Sequence, residues 1–230
     1  MRAAGGQPAA PRARKLRYQG YISDYMKTVA VIPVKGLHNA KTRLATVLSP
    51  QERGALVGEM LSHVLDALRA SGVIDSIAIV SQQRDDLDLP PYVAVIPQTR
   101  QGLNNLLEEG REWAQTENAD ALLVLFADLP LLTPQDIAGM VHEGESTGTI
   151  VLAPDRHGSG TNALLSHPVG LAHLAFGPSS FEAHMALAKS AGAHVRVYRS
   201  AGTELDIDTL DDLAWLDAYR QENAMQYAFS

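Results

Sequence analysis

"TVAVIPVKGLHNAKTRLATVLSP", residues 28–50, opens as a strand and closes as a helix start. Thr28–Val34 is a β-branched apolar run of strand length. Ser49 stands where an N-cap belongs, Pro50 takes the first helical position, and Glu52 completes a capping box. Leu56, Val57, Met60, Leu61, Val64, Leu65 and Leu68 then recur at helical spacing until Gly72 ends the run. "SIAIVS", residues 76–81, resumes as a strand. Strand, helix and strand within one span point to an α/β fold with helices layered on a sheet.

The same alternation continues along the chain. "YVAVIP" (92–97) reads as a third strand and residues 103–117 as a helix. "ALLVLFADLP" (121–130) is the most apolar strand, of the kind found at the centre of a parallel sheet. Thr133 and Pro134 open another capped helix, "TIVLAP" and "NALLS" read as strands, and 179–191 reads as a helix. "HVRVYR" is a late strand, and Asp208 or Thr209 caps a closing helix through Tyr219. This pattern predicts a three-layer α/β sandwich, Rossmann-like, with a mostly parallel mixed sheet. No linker interrupts residues 26–222, so they are expected to form one domain, with 223–230 as a tail.

Composition bounds the function. With 46% hydrophobic and 20% charged residues, the 230-residue chain is that of an ordinary globular protein. No apolar run approaches the roughly 18 residues that a membrane span needs. The absence of cysteine excludes disulfides and thiolate metal sites and is compatible with a cytoplasmic location. Residues 1–25 hold five Arg/Lys against one acid, Asp24, within a net charge of −7. The remainder carries 14 bases against 25 acids, and so acidic a body argues against nucleic acid as the main partner. The Arg- and Pro/Gly-rich residues 1–25 read as a disordered leader upstream of a start at Met26, with a targeting segment as the alternative.

In open α/β sheets ligands collect beyond the carboxyl ends of the strands. After the first strand comes a loop bearing Lys35, Lys41 and Arg43, with one glycine and neither the phosphate-loop nor the dinucleotide fingerprint. These cations either neutralise a triphosphate or are solvated loop charges. After the central strand comes Asp128, whose position at a buried strand end suits a divalent metal or a turn cap. After the late strand, Asp206 and Asp208 stand two apart in extended chain and face the same side. The three carboxylates make a hard-cation site suited to Mg²⁺, unless Asp208 is only an N-cap.

"DRHGSGTNAL" and "FGPSSFEAH" supply Gly, Ser and Thr, the second at a helix start, which suits either an anion site or ordinary turns. The eight histidines form no ligand pair of useful spacing, which leaves zinc without a site. There is no cysteine and no G-x-S-x-G elbow. Direct in-line attack on phosphorus, with the protein supplying position and charge, therefore favours a nucleotidyltransferase over a hydrolase.

In this order, "VIPVKGLHNAKTRL", "GLNNLLEEG", "LLVLFADLPLLTPQDI", "APDRHGSGTNAL", "FGPSSFEAH" and "LDIDTLDDL" resemble the guanylyltransferases of coenzyme F420 biosynthesis, the deazaflavin pathway. Their wider relatives are the nucleotide-diphospho-sugar transferases and the molybdenum-cofactor guanylyltransferase, which begin with a glycine-rich loop that this chain lacks. The resemblance implies transfer of GMP from GTP to the phosphate of 2-phospho-L-lactate, phosphoenolpyruvate or 3-phospho-D-glycerate. It also implies release of pyrophosphate and hand-over of the product to the downstream transferase of the pathway. Carried over by motif, Asp128, Asp206 and Asp208 would hold Mg²⁺, and Thr161, Gly177 and Ser180 would contact the phosphorylated acid. Lys35, Lys41 and Arg43 would contact the triphosphate, and Leu103 and Asn104 would lie near the guanine. The rival readings are a molybdopterin or sugar-phosphate nucleotidyltransferase of the same fold, and a non-catalytic nucleotide-binding α/β module. Long helices with apolar faces leave room for a homodimer.

Overall fold

The computed structural model describes residues 25–34, 40–82 and 88–228. Seven strands build one sheet: β1 (Thr28–Val34), β2 (Ser76–Ser81), β3 (Val93–Pro97), β4 (Ala121–Leu125), β5 (Thr149–Pro154), β6 (Thr161–His167) and β7 (His194–Val197). Their order is β3-β2-β1-β4-β6-β5-β7. β1 pairs parallel with both β2 and β4, and β2 with β3. β6 runs antiparallel to β4 and β5, and β7 lies parallel to β5. Because β6 is reversed, its first residue, Thr161, lies at the end of the sheet where β4 finishes.

The helices are α1 (Pro50–Ala70), α2 (Leu103–Thr116), α3 (Pro134–Glu143), α4 (Ser180–Ser190), the single turn α5 (Ala201–Glu204) and α6 (Leu210–Ala228). Successive residues of a strand face opposite sides, and here both sides are covered. Ala30, Ile32, Leu123 and Leu125 pack against Leu61, Leu65 and Leu68 of α1 and Ile137 and Met140 of α3. Val29, Val31, Leu122 and Val124 pack against Leu106, Leu107 and Ala114 of α2 and Ala188 of α4. Burial on both faces is why the strands read as unbroken apolar runs, each large side chain stabilising by about 1.5–3 kcal/mol. α2 comes so close to the sheet that a β-carbon on Gly110 would collide with Val31.

The Ser49 capping box and the Thr133 cap form as the sequence predicts, and the Thr133 cap is also a box. The Ser49 hydroxyl accepts from Glu52 N while Glu52 accepts from Ser49 N, and Thr133 and Asp136 do the same for α3. A third apolar cluster of Leu44, Val57, Met60, Leu205, Ile207 and Leu216 ties the loop after β1 and the segment before α6 to α1.

Three expectations need correction. β7 ends at Val197. Ser200 then caps Thr203 N at 3.1 Å and turns the chain into α5, so Asp206 and Asp208 follow a helical turn on an unpaired extended stretch, not the end of the last strand. The closing helix continues past Tyr219 to Ala228, since no Gly or Pro interrupts it. Residues 223–228 therefore prolong α6 where a tail was expected. Among the described residues, no helix is long and apolar enough to cross a membrane.

Candidate active site

A cleft of about 540 Å³ opens at the carboxyl ends of β1 and β4, bounded by Val34, Lys41, Leu103, Phe126, Asp128 and Asp208. That volume falls within the range of small-ligand sites. Asp128 lies three residues beyond β4, and its carbonyl accepts from Ile207 N at 3.2 Å. With Asn162 and the burial of Leu205 and Ile207, this bond sets the 205–208 segment beside the strand end. One carboxylate oxygen each from Asp128, Asp206 and Asp208 lies within 4.8 Å of the other two, so the trio could hold a metal ion. Three hard oxygen donors converging at this spacing fit a divalent cation of the Mg²⁺ type.

Whether Asp208 is merely a helix cap is decided by its neighbours. Thr209 and Asp212 form the α6 cap: Asp212 Oδ2 accepts from Asp208 N at 3.0 Å and Thr209 N at 2.7 Å. The Asp208 carboxylate is thereby free to face the cleft. Asp206 is held by Asn162, whose Nδ2 donates to its Oδ1 at 3.2 Å. Burial, reinforced by the nearby Asp128 charge, pushes the Asp206 carboxyl up to about 6.

Lys41 enters this group directly. Its Nζ donates to Asp128 Oδ2 at 2.5 Å and to Asp208 Oδ1 at 2.7 Å. Burial disfavours the ammonium, but the two carboxylates more than offset it and hold the lysine above its ordinary pKa. Lys41 sits in a left-handed turn, φ 52°. That turn is fastened by Arg53 of α1, whose guanidinium donates to Ala40 O at 3.1 Å and Leu48 O at 2.8 Å. Arg43 is exposed and reaches Asp208 only at 3.9 Å, so its guanidinium is free to meet a ligand. Lys35 lies outside the described residues, as do residues 1–24 of the expected leader.

The start of β6 and the loop before α4 meet beside the cleft, where the Phe176 ring packs against cleft-lining Phe126 with centroids 5.3 Å apart. Gly177 has φ 141°, and Ser179 before α4 has φ 56° and caps no amide with its side chain. Ser180 N donates to Gly177 O at 3.1 Å, and the Ser180 hydroxyl has no partner among the described residues. Thr161 Oγ1 lies 3.0 Å from His184 Nδ1. Leu103 lines the cleft. Asn104 is spent on the main chain of Phe176, accepting from its N at 2.8 Å and donating to its O at 3.0 Å. It thus holds the 175–180 loop, and one amide proton remains for any base.

Four contributors escaped sequence reading: Arg53, Asn162, His184 and Glu109. Glu109 Oε1 accepts from Thr99 N, Thr99 Oγ1 and Arg100 N, which stiffens the approach to α2. A buried Arg or Glu inside a helix pattern was the available signal for two of them, since such groups are rarely buried unless paired. Asn162 and His184 carried none.

The fold is a nucleotide-diphospho-sugar transferase-like α/β fold. A protein of Desulfovibrio desulfuricans G20 proposed as a nucleotide-diphospho-sugar transferase superposes with a TM-score of 0.68 at 16% identity, over 83% of this chain and 86% of its own, and that likeness shows the fold. Residues 28–224 match the family described as guanylyl transferase, CofC like, and the chain belongs to that family. Its relatives include a phosphoenolpyruvate guanylyltransferase of Sphaerobacter thermophilus, 43% identical over 82% of this chain and 91% of that protein. Another is a 2-phospho-L-lactate guanylyltransferase of Methanothermobacter thermautotrophicus, 34% identical over 82% of this chain and 83% of that protein.

Proposed function

We propose that this protein transfers GMP from GTP to the phosphate of a phosphorylated three-carbon acid and releases pyrophosphate, within coenzyme F420 biosynthesis. Phosphoenolpyruvate is the first acceptor to test, since the relative at 43% identity bears its name. 2-Phospho-L-lactate and 3-phospho-D-glycerate follow. The observation that carries the reading is the convergence of Asp128, Asp206, Asp208 and Lys41 on one cleft of a guanylyltransferase-family chain.

An ionised phosphate oxygen of the acid attacks the α-phosphorus of GTP. The bond to the bridging oxygen of the β-phosphate breaks, and pyrophosphate leaves with the electron pair. The nucleophile already carries its charge, so no general base is needed. Asp128, Asp206 and Asp208 would hold Mg²⁺, which when bound supplies charge neutralisation between the two anions. Lys41 and Arg43 would neutralise the triphosphate, and Lys35 is assigned the same role. Leu103 would pack near the guanine, with Asn104 beside it. Thr161, Gly177 and Ser180 would receive the acid through hydroxyl and main-chain donors. The product, an acid–guanosine diphosphate ester, would pass to the downstream transferase in the cytoplasm.

The test is pyrophosphate release by the purified protein with GTP and Mg²⁺, one acid at a time, with the product identified by mass. Turnover with one acid is expected. GTP binding with no turnover on any of the three would turn attention to molybdopterin or sugar-phosphate acceptors.

A further inference from the structure

His184 lies on α4 four residues after Ser180, so the two share a helix face. The imidazole is 2% exposed and packs edge-on against Phe176, ring centroids 4.6 Å apart. Ala175 N donates to its Nε2 at 3.0 Å, while Nδ1 lies 3.0 Å from Thr161 Oγ1. A ring nitrogen that accepts from an amide cannot itself carry a proton. The neutral ring must therefore bear its proton on Nδ1 and donate it to Thr161 Oγ1. Burial keeps the ring neutral by pushing its pKa down to about 4.

The consequence falls on Thr161, which is 4% exposed at the cleft end of β6. Its oxygen already accepts from the imidazole, and its own proton finds no acceptor among the described residues. The opposite tautomer would make Thr161 donate to the ring and turn lone pairs toward an incoming anion, which repels it.

We propose that His184 is a positioning residue that makes the Thr161 hydroxyl an obligate hydrogen-bond donor toward an oxyanion of the acceptor acid. Together with Ser180 it makes this flank of the site recognise an anion through neutral hydroxyl donors. The inference rests on the proposed acceptor site at Thr161, Gly177 and Ser180. The ring also holds the 175–180 loop through Ala175, opposite the grip of Asn104 on Phe176.

Two measurements test it on the full chain. Nitrogen-15 NMR of the imidazoles at neutral pH is expected to show His184 protonated at Nδ1; an Nε2–H signal overturns the proposal whatever the activity. Kinetics with phosphoenolpyruvate then compare His184→Leu with His184→Asn, whose side chains share a four-atom shape branched at Cγ while only Asn can place an N–H donor near the Nδ1 position. His184→Leu should raise KM for the acid about tenfold, the effect of one lost hydrogen bond to a charged group, and leave KM for GTP within about twofold. His184→Asn should recover most of the loss, and in a Thr161→Val background the two should be indistinguishable. Equal acid KM for Leu and Asn beside native Thr161, or parallel rises for both substrates, overturns the role while leaving the guanylyltransferase reading intact. Should neither variant fold, the tautomer decides. A native protein inactive with all three acids sinks the acceptor site and this role with it.

Discussion

The charged cleft and the hydroxyl-bearing region beside it form two flanks of the candidate site, built on opposite electrostatic terms. Around Asp128, Asp206 and Asp208 the structure concentrates formal charge and balances it with Lys41. Around Thr161 and Ser180, the proposed acceptor side, the hydrogen bonds of His184 run to a hydroxyl and a main-chain amide, groups without formal charge. Charge in a cleft attracts a polyanion over a distance but discriminates little, whereas fixed donors act only at contact and select shape. Under the proposed function, one flank would take a triphosphate that arrives with a cation, and the other a small acid that must be told from its near relatives.

The largest expected effect falls on the charged flank. Asp128→Asn should lower kcat for pyrophosphate release by about 100- to 1000-fold with the fold retained, in the range found when a preorganised electrostatic group is lost. A loss under tenfold would mean that the trio is not the reacting centre. Lys41→Met should come next: it leaves Asp128 without its lysine partner and Asp208 with only the distant Arg43, and is expected to cost about 1–3 kcal/mol of metal-free stability, discounted for the partial exposure of Asp208. Because the ammonium and a divalent ion compete for the same oxygens, added Mg²⁺ should raise Tm more in this variant than in the native protein. Equal gains would show that Lys41 does not stand in for the ion.

Acid stability separates the flanks by sign. His184 has its pKa lowered from 6.5 to about 4, so its contribution is complete above 6.5 and is lost as pH falls toward 4. Asp206 has its pKa raised from 3.8 to about 6, so its contribution is complete below 3.8 and is lost as pH rises through 6. Each is worth about 3 kcal/mol at most, and between about pH 4 and 6 they oppose. In chelator-treated protein, Asp206→Asn should therefore make stability climb with pH across this window, and His184→Leu should make it fall. Denaturant melts at several pH values read both slopes; identical slopes would break the contrast. The smallest effect belongs to Arg43→Ala. Its exposed guanidinium should change stability by less than about 0.5 kcal/mol and raise KM for GTP only a few-fold.

Most of the fold was legible in the sequence because local and global signals agree there. Ser49–Glu52 and Thr133–Asp136 announce two helices by chemistry that acts within four residues, and the apolar strands declare a sheet covered on both faces. The last part of the chain was less legible. An extended stretch such as 205–208 has the same residue pattern whether or not a partner strand is present, and the turn α5 is too short to leave a periodicity.

The sequence by itself determined the sheet's layered class and the residue types of the candidate site: carboxylates beyond the central strand, cations in the first loop and hydroxyls before a helix. It did so because periodicity and capping are short-range, and strand ends mark where ligands gather. Only the tertiary structure decided what each group is paired with. It gave the α6 cap to Thr209 and Asp212 and so left Asp208 to Lys41. It committed Asn104 to Phe176 and set His184 between Ala175 and Thr161. A hydrogen bond depends on distance and direction, and residues 23 or 167 positions apart acquire these only when the sheet has folded.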